Sequence, residues 1–305
     1  MAKNQPITGE TANAIDKHVE RVLRDLGYPE PPLRLEDVRS LLRLDLRHYS
    51  STDVTWLEEK LHKLRVAGKQ VLARPRLILD VVTKLDLKAL FLPDQKRILV
   101  DADLPHPKQR WGEAHEIVHS VLPWHEGVAM GDKKRTLSIA CHTQIESEAN
   151  YGAGRLLFLG TRFTDQLADA TKIDLKLVKH LKMAFGNSLT TTLWRIVENL
   201  DSPACGLVSI HPRSDPPPGT KAVRYFVRSP EFVKRFSSVT ESELFGWMRR
   251  FCYGKRGPIG AGEVLLRDDK GDEHVFFLEC FNNHYDTLTL GTHTGCRKVA
   301  VVSGR

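Results

Sequence analysis

The sequence predicts an α+β protein of more than one domain, and three observations carry that expectation. Ile15, Val19, Val22, Leu23 and Leu26 recur at helical spacing and line one face of a helix that Gly27 and the GYPEPP stretch end. Two strand-like runs, LKALFL and RILVD, flank Pro93-Asp94-Gln95-Lys96, whose Pro and Asp suit a tight turn, so they read as a hairpin. Beyond Asp201 the runs GLVSI, VRYFV, EVLLR, EHVFFLECF and TLTLG are short, rich in β-formers and separated by turns such as DDKGDE. With 305 residues the chain exceeds the usual size of a single hydrophobic core.

The elements follow in order. Leu35, Val38, Leu41 and Leu42 mark a second helix over residues 35–44, and Trp56, Leu57, Leu61 and Leu64 a third that stops near Gly68. After the hairpin, Pro105 and Pro107 break the second strand, and Pro107 suits the first turn of a helix over residues 108–122. A polar loop, HEGVAMGDKKRTLS, leads to a helix over residues 144–159 that Gly160 ends. Residues 164–200 read as further helices, with Phe185-Gly186 as a C-terminal stop and Asn187-Ser188 as the next start. SDPPPG at 214–219 is a turn or linker signal. The expected division is therefore 1–160, a helical segment 161–202, and a β-rich domain 203–305.

Composition excludes several classes. An apolar content of 41% is that of a chain with a core, not of a disordered one. No apolar run approaches the ~20 residues of a membrane-spanning helix, and no apolar stretch follows the N-terminus as a secretion signal would require. The five cysteines are scattered and form no C-x-x-C pair, so neither a disulfide framework nor a cysteine zinc knuckle is expected, and the compartment reads as reducing cytoplasm. The net charge of +7 would suit nucleic acid, but its charges are spread along the chain instead of gathered in one tract.

The chemistry sits in His115-Glu116-Ile117-Val118-His119. Two histidines four residues apart on a helix lie about 400° apart in angle, nearly eclipsed, so both imidazoles can reach one ion. Zn2+ takes neutral imidazole nitrogen, and the intervening Glu116 stands where a carboxylate can take a proton from water activated by the ion. His115 shares the inward helix face with Trp111, Val118 and Leu122, and buried histidines cost free energy unless their nitrogens are satisfied, which a metal does.

A catalytic zinc takes three protein ligands and keeps one position open. Glu148 is the expected third ligand, because it lies near Ala149 and Gly152, residues small enough to let two helices approach closely. Glu146, about 200° away around the helix, is the second choice. His125 and His142, in or beside the polar loop, are further alternatives, and Cys141 is near enough in sequence to act as a thiolate switch on the ion or to be an inert thiol. Manganese or iron would also suit two histidines and a carboxylate.

ILVDADLP, then QRWGEAHEIVHSVL, then ESEANYGAGRLLF resembles the ImmA/IrrE family of zinc metallopeptidases, in the branch with a C-terminal GAF-like domain. The resemblance rests on Arg110, Trp111, Ala114, His115, Glu116, His119, Glu148, Ala149, Asn150, Leu156 and Leu157, and departs from the family pattern at Tyr151-Gly152-Ala153 and Phe158-Leu159. It implies a zincin-like fold for 1–160, zinc on His115, His119 and Glu148, Glu116 as the base, a helix-turn-helix-like segment at 161–202, and a sensor or substrate-holding domain at 203–305. It also implies a helix-turn-helix transcriptional repressor as the substrate, cleaved to release stress-response or mobile-element genes.

Lys172, Lys176 and Lys179 share a helix face and could meet phosphates, giving a weak DNA contact through residues 172–195, although the would-be recognition helix offers only Arg195 to read a base. Two other functions remain open: a DNA-binding or scaffolding regulator that keeps the peptidase fold without using it, and a general intracellular peptidase. Glu116 favours an enzyme, since a carboxylate that is not a ligand has proton transfer as its evident use.

Overall fold

A Thr8 side chain that accepts the Thr11 N–H starts α1 (Gly9–Asp25), and its periodic apolar face, Ile15, Val19, Val22 and Leu23, is buried. The computed structural model describes residues 7–50, 89–125 and 139–296; the expected helix around 56–64 and most of the polar loop after His125 lie outside these, as do the side chains of Cys141 and His142. The chain is α+β and divides into two units, Met1–Phe163 and Thr164–Arg305.

In the first unit α2 (Leu35–Leu42) is followed by β1 (Asp45–Tyr49), β2 (Ala89–Leu92) and β3 (Arg97–Asp101), in the order β1-β3-β2. The hairpin forms as read: β2 runs antiparallel to β3, with Phe91 opposite Ile98 and a 3₁₀ turn at Pro93–Gln95 between them. Strand β1, parallel to β3, was not expected, because DLRHY buries only Tyr49 and so carries no alternating apolar pattern. Its partner, with Ile98, Leu99 and Val100 all buried, is what holds it.

Helix α3 (His106–Val121) starts with Pro107 in its first turn, and α4 (Ile139–Leu157) is followed by Leu159 and Gly160, both with positive φ. The two pack closely because Gly152 has no side chain: a Cβ there would stand 2.6 Å from Val118 Cγ1 and 3.1 Å from Ile15 Cγ2, so α4 touches both α3 and α1 at this point. Polar clamps fix the same arrangement. Arg155 donates to Asp16 at 2.7 Å, the Tyr151 hydroxyl lies 3.2 Å from that carboxylate, and Arg39 donates to Glu113 at 2.6 Å.

Helix α5 (Thr161–Ala168) crosses into the second unit, where α6 (Leu175–Phe185), capped by Asp174, and α7 (Leu189–Glu198) are separated by Gly186 at φ 66° and Ser188 caps α7, the last two as the sequence suggested. The chain continues through β4 (Ala204–Ser209), β5 (Val223–Arg228), α8 (Pro230–Arg235), α9 (Glu241–Phe251), β6 (Gly257–Arg267), β7 (Glu273–Asn282) and β8 (Thr287–Cys296). The strands make one antiparallel sheet in the order β5-β4-β8-β7-β6. Every residue of β4 is buried, since Cys205 and Leu207 face the core of Phe232, Leu244 and Met248 while Gly206 faces Leu193 and Val197 of α7. The division into two units falls at Phe163/Thr164, and within the second unit Leu193 and Val197 of α7 lie against Gly206 of β4. Gly206→Ala puts a Cβ 2.8 Å from Val227 Cγ1 and 3.3 Å from Val197 Cγ2, and should destabilise this unit by about 1–3 kcal/mol in denaturant unfolding.

The cations singled out for DNA differ in placement, with Lys172 and Lys176 exposed. Arg195 is 8% exposed, with Nη1 3.4 Å from Glu198, so it is turned inward and not offered to a base edge. Lys179 lies 3.9 Å from the centre of the Phe281 ring, and Lys172 pairs with Asp174 at 4.0 Å. None of the described helices is long and apolar enough to cross a membrane.

Candidate metal centre

Helix α3 carries His115 and His119 one turn apart, and α4 brings Glu146 and Asn150, also one turn apart, against them. The Nε2 atoms of the two histidines are 3.1 Å apart, His115 Nε2 is 3.2 Å from one Glu146 oxygen, and His119 Nε2 is 3.6 Å from the other. These donors form the one group of three metal-ligating side chains among the described residues. Bonds of ~2.0–2.1 Å in a tetrahedral zinc site put ligand atoms ~3.4 Å apart, so the donor set fits a zinc ion. It fits in charge as well. Burial pushes His115 down, but its hydrogen bond to Glu146 and the charges of Glu116 and Glu146 outweigh burial and raise it, which marks a place where positive charge is favoured.

For the third ligand the sequence reading named Glu148, with Glu146 second; the structure brings Glu146, and not Glu148, together with the two histidines. Glu148 is not in this group: its carboxylate is buried and takes hydrogen bonds from Trp124 Nε1 at 2.7 Å and Gln144 Nε2 at 2.9 Å, with His125 Nε2 at 3.1 Å. The small residues Ala149 and Gly152 mark where α4 is packed tightest, and a carboxylate on that face is buried among side-chain donors, whereas the neighbouring face with Glu146, its side chain 39% exposed, keeps an opening to the outside. The usable signal was the match of two i, i+4 pairs, His115/His119 and Glu146/Asn150, on facing helices.

His125, an alternative ligand in the sequence reading, is 3% exposed, and its Nδ1 lies 2.9 Å from His119 Nδ1. Burial holds it below the usual histidine range against the pull of Glu148. Asn150 Oδ1 sits 3.1 Å from His115 Nδ1. Both motif histidines therefore have their Nδ1 side held by protein, leaving Nε2 toward Glu146.

Glu116 lies about one quarter-turn from these ligands, facing the sheet, and is 7% exposed. Burial raises its carboxyl to about 7, Glu146 adds to the rise, and His115 and a hydrogen bond from the Phe91 N–H of β2 hold it back. A cation beside it would favour the ionised form.

No protein-family model and no curated protein matches the chain. Among solved structures, one described as a Mycobacterium tuberculosis transcriptional regulator has the same fold over 92% of this chain and 76% of its own, with a TM-score of 0.54 and 14% identity, and at that identity the likeness speaks for the fold alone.

Proposed function

We propose that the first unit is a zinc-dependent endopeptidase whose ligands are His115, His119 and Glu146 and whose proton acceptor is Glu116. The observation that carries this reading is the donor triangle of 3.1, 3.2 and 3.6 Å on the H-E-x-x-H helix and its neighbour. A zinc ion bound there supplies Lewis acidity toward a peptide carbonyl and toward water. The chain's own part is to hold the ion through three side chains, to keep Glu116 buried so that its carboxylate is a stronger base than in water, and to receive at that carboxylate the proton lost by the attacking water. Glu116 then returns the proton to the departing amine. Manganese or iron would fit the same donors.

The substrate we propose is a helix-turn-helix transcriptional repressor, on the strength of the ImmA/IrrE resemblance; that the structural neighbour is described as a transcriptional regulator agrees with a place in transcription control. The second unit, a five-stranded antiparallel sheet with helices on it, suits the GAF-like sensor or substrate-holding role. The described cysteines are all free thiols, in keeping with a reducing compartment. Protein purified without chelator should carry one zinc per chain and cut such a repressor at a single bond, and the cut should stop with a chelator. Zinc-loaded protein that cuts no repressor, read by mass spectrometry, would turn the assignment to a regulator that keeps the fold without catalysis.

A further inference from the structure

Glu148 is a buried carboxylate 3.1 Å from His125 Nε2, and His125 Nδ1 is in turn 2.9 Å from His119 Nδ1. An ionised carboxylate only accepts, so His125 donates to it from Nε2–H. A neutral imidazole has one donor and one acceptor nitrogen, which makes His125 Nδ1 the acceptor. His119 must then donate from Nδ1–H, and its lone pair is left on Nε2, the nitrogen that points to His115 and Glu146. One carboxylate thus dictates where the proton sits on two histidines in series.

We propose that Glu148 is a positioning residue, which through His125 fixes the ring orientation and the tautomer of His119 so that Nε2 is presented to the ion. The proposal rests on the zinc reading of the site and adds to it a part for the carboxylate that is not a ligand. Two further donors, Trp124 Nε1 at 2.7 Å and Gln144 Nε2 at 2.9 Å, hold Glu148 in place, so the relay begins from a fixed point. Asn150 does for His115 in one step what Glu148 does for His119 in two, with its amide oxygen 3.1 Å from His115 Nδ1. The arrangement also explains why a residue so near the site is buried among donors: its charge acts on a ligand's hydrogen bond and not on the ion.

The test reads tautomers and zinc affinity separately. In metal-free, histidine-labelled wild type, long-range nitrogen–proton NMR correlations should show His119 protonated on Nδ1 and His125 on Nε2. Glu148→Ala should mix the tautomers of both rings and weaken zinc binding about 10- to 100-fold in chelator competition. Glu148→Gln, which keeps an oxygen for His125 Nε2–H, should retain the wild-type tautomers and most of the affinity. Trp124→Phe removes one of the two donors that hold Glu148 while Gln144 and His125 remain on it, so it should lower thermal stability and weaken zinc binding by clearly less than Glu148→Ala. Should Glu148→Ala not fold, His125→Phe, which cuts the relay at its middle, carries the same expectation for zinc and for the His119 tautomer. Unchanged tautomers and affinity in Glu148→Ala, or a Trp124→Phe loss as large as that of Glu148→Ala, would overturn the proposal in favour of plain packing. Wild type that binds no zinc would sink the metalloenzyme reading alone, since the metal-free tautomers still decide the relay.

Discussion

Glu116→Gln protein should hold one zinc per chain and cleave its substrate about 10²- to 10⁴-fold more slowly, the range that a positioned general base contributes. The amide has nearly the shape of the carboxylate, and its oxygen can still accept the Phe91 N–H that the carboxylate receives, so neither the burial of the side chain nor the packing of α3 on β2 changes. What disappears is the ability to take a proton. Metal analysis beside turnover of a repressor substrate checks both halves at once. Wild-type turnover in zinc-loaded Glu116→Gln protein would remove Glu116 from the chemistry and leave the site a metal-binding one.

Loss of a ligand is expected to be more severe than loss of any supporting contact. His115→Ala, His119→Ala and Glu146→Ala each leave two protein donors where a catalytic zinc needs three, and should weaken zinc binding by more than the ~100-fold that bounds a supporting residue. Glu148→Ala should stay within that bound. The ranking is the discriminating result, because it reverses the order that helix packing alone suggests. If equilibrium dialysis finds Glu146→Ala still loaded and Glu148→Ala empty, Glu148 is the ligand and the distances that group Glu146 with the two histidines have misassigned it.

The sequence made most of the scaffold legible, and the residues show why. Periodicity found α1, Pro107 found the start of α3, Gly186 and Ser188 found the break between α6 and α7, and β-rich runs found each strand of the second sheet, because all of these are local signals. Strand β1 was missed since its stability is borrowed from β3 and not written in its own pattern. The motif histidines needed only helical spacing, so His115 and His119 could be paired at sight. The carboxylate could not. Glu146 and Glu148 differ in which neighbour each meets, and that depends on Val118 and Ile15 closing on Gly152 and on Trp124 and His125 folding back beneath α3, contacts between residues far apart or in a short turn without pattern. Arg195 shows the same limit from the other side, a cation offered for base reading that is 8% exposed and paired with Glu198.

The hydrogen bond from Phe91 to Glu116 gives the β2–β3 turn a bearing on chemistry that none of its own residues has. Along a strand successive N–H groups point to opposite edges, so the one that meets Glu116 is fixed by which residue stands opposite Ile98. That pairing is set in turn by the length of Pro93–Gln95 and by Lys96, which closes the turn at φ 45°. Changing the side chains of the turn leaves the count intact; adding or removing one residue shifts the frame by one and presents a neighbour's N–H facing the wrong way. A surface hairpin is usually where a chain forgives insertion. Here its length sets which N–H stands toward Glu116, the residue we propose as proton acceptor.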